Sequence, residues 1–153
     1  MANYKIIPYY KEHGDEIIAL GMNDKLMEID ASFTENRLDT AIAGMSFTLL
    51  VNNNIVLAGG IIPLWHGVAE GWVMCSQRVF NHKIRAAASV KKRLDYLCLN
   101  NKIRRLQTAV KEEFYTGVRF AEWLGLKKEG LMKYYGLDKT NYWRMAKYYE
   151  FYR

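Results

Sequence analysis

With 153 residues, half of them hydrophobic and a quarter charged, the chain has enough apolar material for one domain and too much for a disordered segment. No apolar run approaches the ~18 residues a membrane helix needs, and the start "MANYKIIPYYKEHGDE" lacks the basic-then-apolar pattern of a secretory signal. Two cysteines and three scattered histidines make a structural metal an unattractive reading. The net charge of +6 is uneven: residues 78–105 hold nine basic side chains against Asp95 alone, whereas residues 1–77 are net acidic. Such a block suits a polyphosphate, a nucleic acid, a membrane surface or simply solvent.

In chain order, "YKIIPYY" (4–10) predicts a strand. "KEHGDEIIALGM" (11–22) and "NRLDTAIAGM" (36–45) predict helices, because apolar residues recur at helical spacing. "SFTLLV", an Asn cluster and "IVLAGGIIPLW" predict a hairpin, since Asn tolerates the left-handed turn conformation. "EGWVMCSQ" (70–77) predicts a central strand. "HKIRAAASVKKRLDYLCLNN" (82–101) is the clearest helix, with an apolar stripe of Ile84, Ala87, Ala88, Leu94, Leu97 and Cys98. "IRRLQTAV" (103–110) predicts a strand, and a helix over about 113–124 follows. The strands 127–135 and 142–149 are joined by "GLDKTN", rich in turn formers. The pattern is an α+β domain over 1–153, a mixed and mostly antiparallel sheet with helices on both faces. No Gly-x-Gly-x-x-Gly follows a strand, which argues against a doubly wound nucleotide fold.

One stretch is more specific. "RFAEWLGLKKEG" (119–130) ends a helix on Leu124-Gly125-Leu126 and passes straight into a strand. With the preceding order of elements, the "GGIIPLWHGVAEGW" hairpin (59–72) and the terminal hairpin ending near Met145-Ala146, it resembles the GNAT superfamily of acyl-CoA N-acyltransferases. Within that superfamily it is most similar to small GNAT-like proteins of bacteriophages and prophages, some akin to internal virion proteins of short-tailed phages. The resemblance implies a GNAT-like fold and acetyl-CoA as cofactor, without a metal. It also implies an amine acceptor, of a protein or a small molecule, and residence in host cytoplasm or virion rather than secretion.

The resemblance also directs attention to residues. The family's pyrophosphate loop falls on "SQRVFNHKIRAAA" (76–88), which makes Gln77, Arg78, Lys83, Ile84 and Arg85 the candidate coenzyme set, with Asn81 as helix N-cap. No glycine stands in this stretch, and Phe80 and Ile84 are bulky enough to obstruct it. An ordinary capped basic helix is the alternative. Glu70 falls where the family often has the base that deprotonates the amine, with Trp72 and His66 as candidate desolvating neighbours. The alternative is a strand-end carboxylate facing solvent. His66 is a competing base, or a loop histidine bonded to a carbonyl. The family's acidic tyrosine would fall on Ala121 and its helix-opening asparagine on Phe114, so neither is present. The tail "MKYYGLDKTNYWRMAKYYEFYR" interleaves Tyr with Lys and Arg. It fits an amphipathic strand pair, an interface for a phage or host protein, or a nucleic-acid surface. A protein that kept the fold without the chemistry is therefore the second functional expectation.

Overall fold

The computed structural model describes residues 1–20 and 44–150. The helix expected over 36–45 lies largely outside these residues, as do the last three residues of the tail. Three strands form an antiparallel meander: β2 (Ser46–Val51), β3 (Asn54–Trp65) and β4 (Val68–Cys75). Asn52 and Asn53 both adopt left-handed backbone, φ 51° and 65°, so the Asn cluster turns the β2–β3 hairpin as its chemistry predicts. β1 (Tyr4–Pro8) pairs with β2, and α1 (Lys11–Ala19) follows it.

After β4 comes a short 3-10 helix, Gln77–Asn81, then the long helix α2 (Lys83–Asn100). α2 returns the chain so that β5 (Arg105–Lys111) lies parallel to β4. A helix between parallel strands is what such a crossover requires. α3 (Tyr115–Trp123), β6 (Lys127–Met132) and β7 (Tyr142–Tyr148) complete a seven-stranded sheet in the order β1-β2-β3-β4-β5-β7-β6. Every neighbouring pair but β4/β5 is antiparallel.

Strand alternation sends residues to two faces. Phe47, Leu49, Leu57, Ile61 and Leu106 pack with the buried sides of α2 and α3 in the larger core. Ala58, Trp72 and Met74 pack with Tyr9 and Ile17 of the α1 region on the other face. The buried stripe of α2 is Ala86, Val90, Leu94, Leu97 and Cys98. This corrects the sequence-based stripe, because Ile84 is 84% exposed. A 3.6-residue period counted back from Leu97 passes through Leu94, Val90 and Ala86, and Ile84 falls off it.

α3 ends in a Schellman motif. Gly125 has φ +102°, its N–H donates to Glu122 O at 2.9 Å, and the Leu126 N–H donates to Ala121 O at 3.0 Å. Lys147 Nζ donates to the remaining carbonyl of Leu124 at 2.9 Å and to Asp95 Oδ1 at 2.8 Å, while the Tyr149 hydroxyl donates to the same Asp95 oxygen at 2.6 Å. One carboxylate on α2 thus ties β7 to the end of α3. Gly125→Ala is expected to cost about 1–2 kcal/mol, because a Cβ is disfavoured in left-handed backbone. Chemical denaturation at unchanged m-value checks it.

Candidate active site

The site begins where the sheet opens. β4 and β5 pair over three positions only, Val68↔Arg105, Ala69↔Leu106 and Glu70↔Gln107. Beyond Glu70 the ladder between them stops, and a side-chain bond from Thr108 Oγ1 to Gly71 O, 3.2 Å, marks the point of separation. β4 runs on to Cys75, held by β3, while β5 runs on to Lys111, held by β7. The two strands therefore splay, leaving facing edges without a common ladder.

Glu70 sits on the last rung. Its side chain is 12% exposed, and its Oε1 lies 4.0 Å from Arg144 Nη1 of β7. Alternation and register put Glu70, Gln107 and Arg144 on one face of the sheet. Arg144 Nη1 is buried without a hydrogen-bond partner, as is the indole Nε1 of Trp72, two residues past Glu70 on the same face. This face thus carries two buried donors without acceptors, and such groups are costly unless something fills them. The guanidinium of Arg144 also lies 5.8 Å from the Tyr135 ring, which packs on Tyr142.

The surroundings of Glu70 differ from the expectation. Trp72 is buried against Tyr9 in an edge contact with centroids 5.2 Å apart. His66 is exposed in the β3–β4 turn, where its carbonyl accepts from Arg104 Nη1 at 2.9 Å. Gly67, Val68 and Ala69 separate His66 from Glu70, and His66 lies in the turn before β4, on the side of Glu70 away from the splay. Among the described residues, Arg144 is a charged group close to Glu70.

At the far end of β4, Ser76 is fully buried, and both its N–H and its hydroxyl donate to Val56 O at 2.9 Å. The N-cap of α2 is His82, not Asn81, and no side chain caps the helix there. The His82 ring is taken up by Tyr4, its Nδ1 3.0 Å from the Tyr4 hydroxyl. The amides of Lys83, Ile84 and Arg85 thus open the helix without a capping side chain, and the helix dipole adds partial positive charge there. Gln77, Lys83, Ile84 and Arg85 are all exposed around this entrance, and so is Phe80, with Lys83 Nζ 5.2 Å from its ring. Arg85 lies over the Tyr4 ring at 4.5 Å. Arg78 is turned elsewhere: its Nη1 donates to Ile55 O at 3.1 Å and stands 3.8 Å from Glu16.

The missing-tyrosine position, Ala121, is buried in the core, and Phe114 caps the start of α3. Tyr115 is exposed on that helix. Sequence reasoning missed Gln107 and Arg144. Their presence on the Glu70 face follows only from the β4/β5 and β5/β7 registers, although Arg144 stands out as a cation within an aromatic strand.

Further along the same face, Arg105 grips Glu129 with two bonds, 2.8 and 2.6 Å, and the Tyr148 hydroxyl donates to that carboxylate as well. The arginine bonds first, and the tyrosine second, hold the Glu129 carboxyl down at about 2 from its ordinary 4.5. A depressed carboxyl stabilises the folded state above its unfolded value and loses that contribution on protonation. The stability gap between wild type and Glu129→Gln is therefore expected to be full above pH 4.5 and to close as pH falls towards about 2. Urea titrations across that range measure it, and a gap that does not change with pH contradicts it.

No protein-family model matches the sequence, and no curated protein does. Solved structures match over nearly the whole chain. Ard1 from Thermoplasma volcanium superposes with TM-score 0.78 at 10% identity, covering 95% of this chain and 97% of that one. A GNAT-family acetyltransferase from Bacillus anthracis gives 0.73 at 16% identity, covering 97% and 96%. YncA from Salmonella typhimurium, a putative acetyltransferase solved with acetyl-CoA, gives 0.72 at 12% identity, covering 97% and 95%. The strand order, the single parallel pair and these superpositions together establish that the chain has the GNAT fold.

Proposed function

We propose that the protein is an N-acetyltransferase that moves an acetyl group from acetyl-CoA to a primary amine. The observation that carries this reading is the splay of β4 and β5 immediately past Glu70, with the uncapped start of α2 beyond it. An extended amide-bearing arm such as pantetheine can add to the free edge of β4 as a short strand does. Its pyrophosphate then meets the amides of residues 83–85, with Lys83 and Gln77 alongside and Ile84 contributing backbone. Arg85 joins them by leaving the Tyr4 ring. Arg78, engaged with Ile55 and Glu16, steadies the loop.

In this reading Glu70 takes a proton from the ammonium of the acceptor, directly or through one water. The amine lone pair attacks the thioester carbonyl carbon, the C–S bond breaks as the tetrahedral intermediate collapses, and the second amine proton leaves to solvent, or to Glu70 once it has passed its first proton to solvent. Coenzyme A departs as thiolate. A thiol of pKa ~8.5 is a fair leaving group at neutral pH, which makes the absent tyrosine tolerable. Arg144 orients Glu70, and the rate rests mainly on proximity. His66, at the distant turn, has no part in it.

One observation favours a second reading, a phage virion or host-interaction protein that keeps the fold without the chemistry. Tyr134, Tyr135 and Leu137 in the β6–β7 loop are 78%, 47% and 68% exposed, and exposed residues of this kind mark interfaces. The phage connection rests on the sequence resemblance alone. Acetyl-CoA titration separates the two readings. Saturation at ~100 times Kd is expected to add ~2.7 kcal/mol, raising Tm by roughly 5–10 °C. No shift at millimolar coenzyme overturns the transferase.

A further inference from the structure

A cleft of about 310 Å³ lies between β1 and the outer flank of α2, away from the Glu70 face. Its volume is at the lower end of small-molecule sites. Ile6 and the fully buried Leu49 form an apolar floor, and the rings of Tyr4 and Tyr96 stand as walls. Lys5, Lys92 and Arg93 also line it, and among the described residues no carboxylate does. Asp95, the acid nearest in sequence, is engaged with Lys147 and Tyr149. Arg93 is held with its guanidinium 5.0 Å from the Tyr96 ring, and its Nε is buried with no hydrogen-bond partner. Lys5 alternates to the other face of β1, so the charges that face the hollow are those of Lys92 and Arg93, two neighbouring cations of which one has an orphaned donor, and an anion would satisfy both.

We propose that this cleft binds a small phosphate-bearing molecule with a planar apolar body. Lys92 and Arg93 hold the phosphate, and the Tyr4 and Tyr96 rings flank the body. The apolar floor is what distinguishes this from a bare cationic face, since inorganic phosphate gains nothing from Ile6, Leu49 or the rings. The cleft is also distinct from the α2 entrance. Arg93 is ten residues past Lys83, ~15 Å along the helix axis, too far for one phosphate to serve both. Tyr4 stands between them: its hydroxyl holds His82, Arg85 covers its ring, and it lines the cleft. An occupant of the cleft would therefore touch the residue that positions the start of α2.

Phenyl phosphate is the probe, followed by NMR of the arginine Nε–H and tyrosine ring resonances of the full chain. The expected result is a saturable shift of Arg93 Nε–H and of the Tyr4 and Tyr96 rings, half-complete near ~1 mM. Lys92→Gln and Arg93→Gln are each expected to weaken it ~10-fold by loss of a charge-assisted hydrogen bond. Lys92 is exposed, so its variant reports binding even where the Arg93 variant perturbs folding. Inorganic phosphate should bind ~10-fold more weakly for want of a body. The proposal is overturned by no shift at Arg93 up to ~10 mM, by shifts confined to the amides of 83–85, or by unchanged affinity in Lys92→Gln. Equal binding of inorganic phosphate overturns the assignment of the apolar body.

Discussion

Glu70→Gln is expected to lower kcat by ~10²–10³-fold while leaving acetyl-CoA affinity within about twofold of wild type. The substitution keeps the size and the hydrogen-bonding outline of a side chain that is 12% exposed on the last β4/β5 rung. It removes the only property the proposed mechanism asks of it, acceptance of a proton. The coenzyme is held elsewhere, at the free edge of β4 and the start of α2, so the binding and chemical steps separate. Thiol release from acetyl-CoA, with an amine that supports turnover by the wild type, gives kcat. Thermal shift gives coenzyme affinity. Full activity in Glu70→Gln would remove the base from the proposal. Loss of coenzyme affinity in the same variant would make Glu70 structural, because a general base does not hold the coenzyme.

Arg144→Gln provides a check on the same pocket. Its Nη1 lies 4.0 Å from Glu70 and lacks a hydrogen-bond partner, so it acts through Glu70 as a positioning residue. A lower kcat with unchanged coenzyme affinity is expected, but a smaller loss than in Glu70→Gln, since the carboxylate remains.

The parts of the architecture that local chemistry controls were legible in the sequence. The Asn52-Asn53 turn and the Gly125 stop announce themselves because left-handed backbone admits few residue types. The order of strands and helices follows from hydrophobic period, and that order carried the GNAT resemblance. Errors arose where one residue of rotation or register matters. The second half of the α2 stripe, Leu94, Leu97 and Cys98, is buried as expected, but in the first half Ala86 and Val90 face the core in place of Ile84, Ala87 and Ala88, and Ile84 stands in solvent. Asn81 has the chemistry of an N-cap, yet the 3-10 turn extends over it and hands the position to His82. Arg78 belongs to the basic block by sequence, but the bend after β4 sends its guanidinium to Ile55 and Glu16.

The Glu70 face was the least legible because it is assembled by pairing between distant segments. Glu70 meets Gln107 through the parallel β4/β5 contact, and Arg144 arrives through β7. No window of sequence contains these three together. His66, four positions from Glu70 in sequence, is exposed in the turn before β4, while Arg144, 74 positions away, stands 4.0 Å from the Glu70 carboxylate. The same logic explains why the basic block looked uniform. In the fold it divides: Lys83 and Arg85 stay at the α2 entrance, Lys91 lies over Trp123, Arg104 and Arg105 anchor strand ends, and Lys92 and Arg93 line the cleft beside β1.

Gly60→Ala is expected to cause the largest loss of stability, about 3 kcal/mol, or a fall in Tm of roughly 6–12 °C. A Cβ at this position would stand 2.5 Å from Met45 O and 2.7 Å from Ser46 Cα. Both are backbone atoms, so no side-chain rotation relieves the collision. Relief requires moving the start of β2 away from β3, and the bond from Ile61 N–H to Met45 O, 2.9 Å, lies directly in the way. The Phe47 ring, fully buried one residue further on, would be displaced with it. Gly130→Ala is the matched control: a Cβ there meets nothing within 4 Å, so a change within ~0.5 kcal/mol is expected. The consequence reaches the site as well. Gly60 pairs with Trp72 across β3 and β4, on the stretch of β4 that faces the splay. A displaced β3 therefore shifts the strand edge assigned to the pantetheine arm. Gly60→Ala that still folds at low temperature is expected to bind acetyl-CoA more weakly, and Gly130→Ala to bind it as wild type does. A Gly60→Ala variant melting within about 2 °C of wild type would mean that β2 and β3 separate at little cost. The tight β2–β3 approach would then not be what holds β4 in register beside the opening.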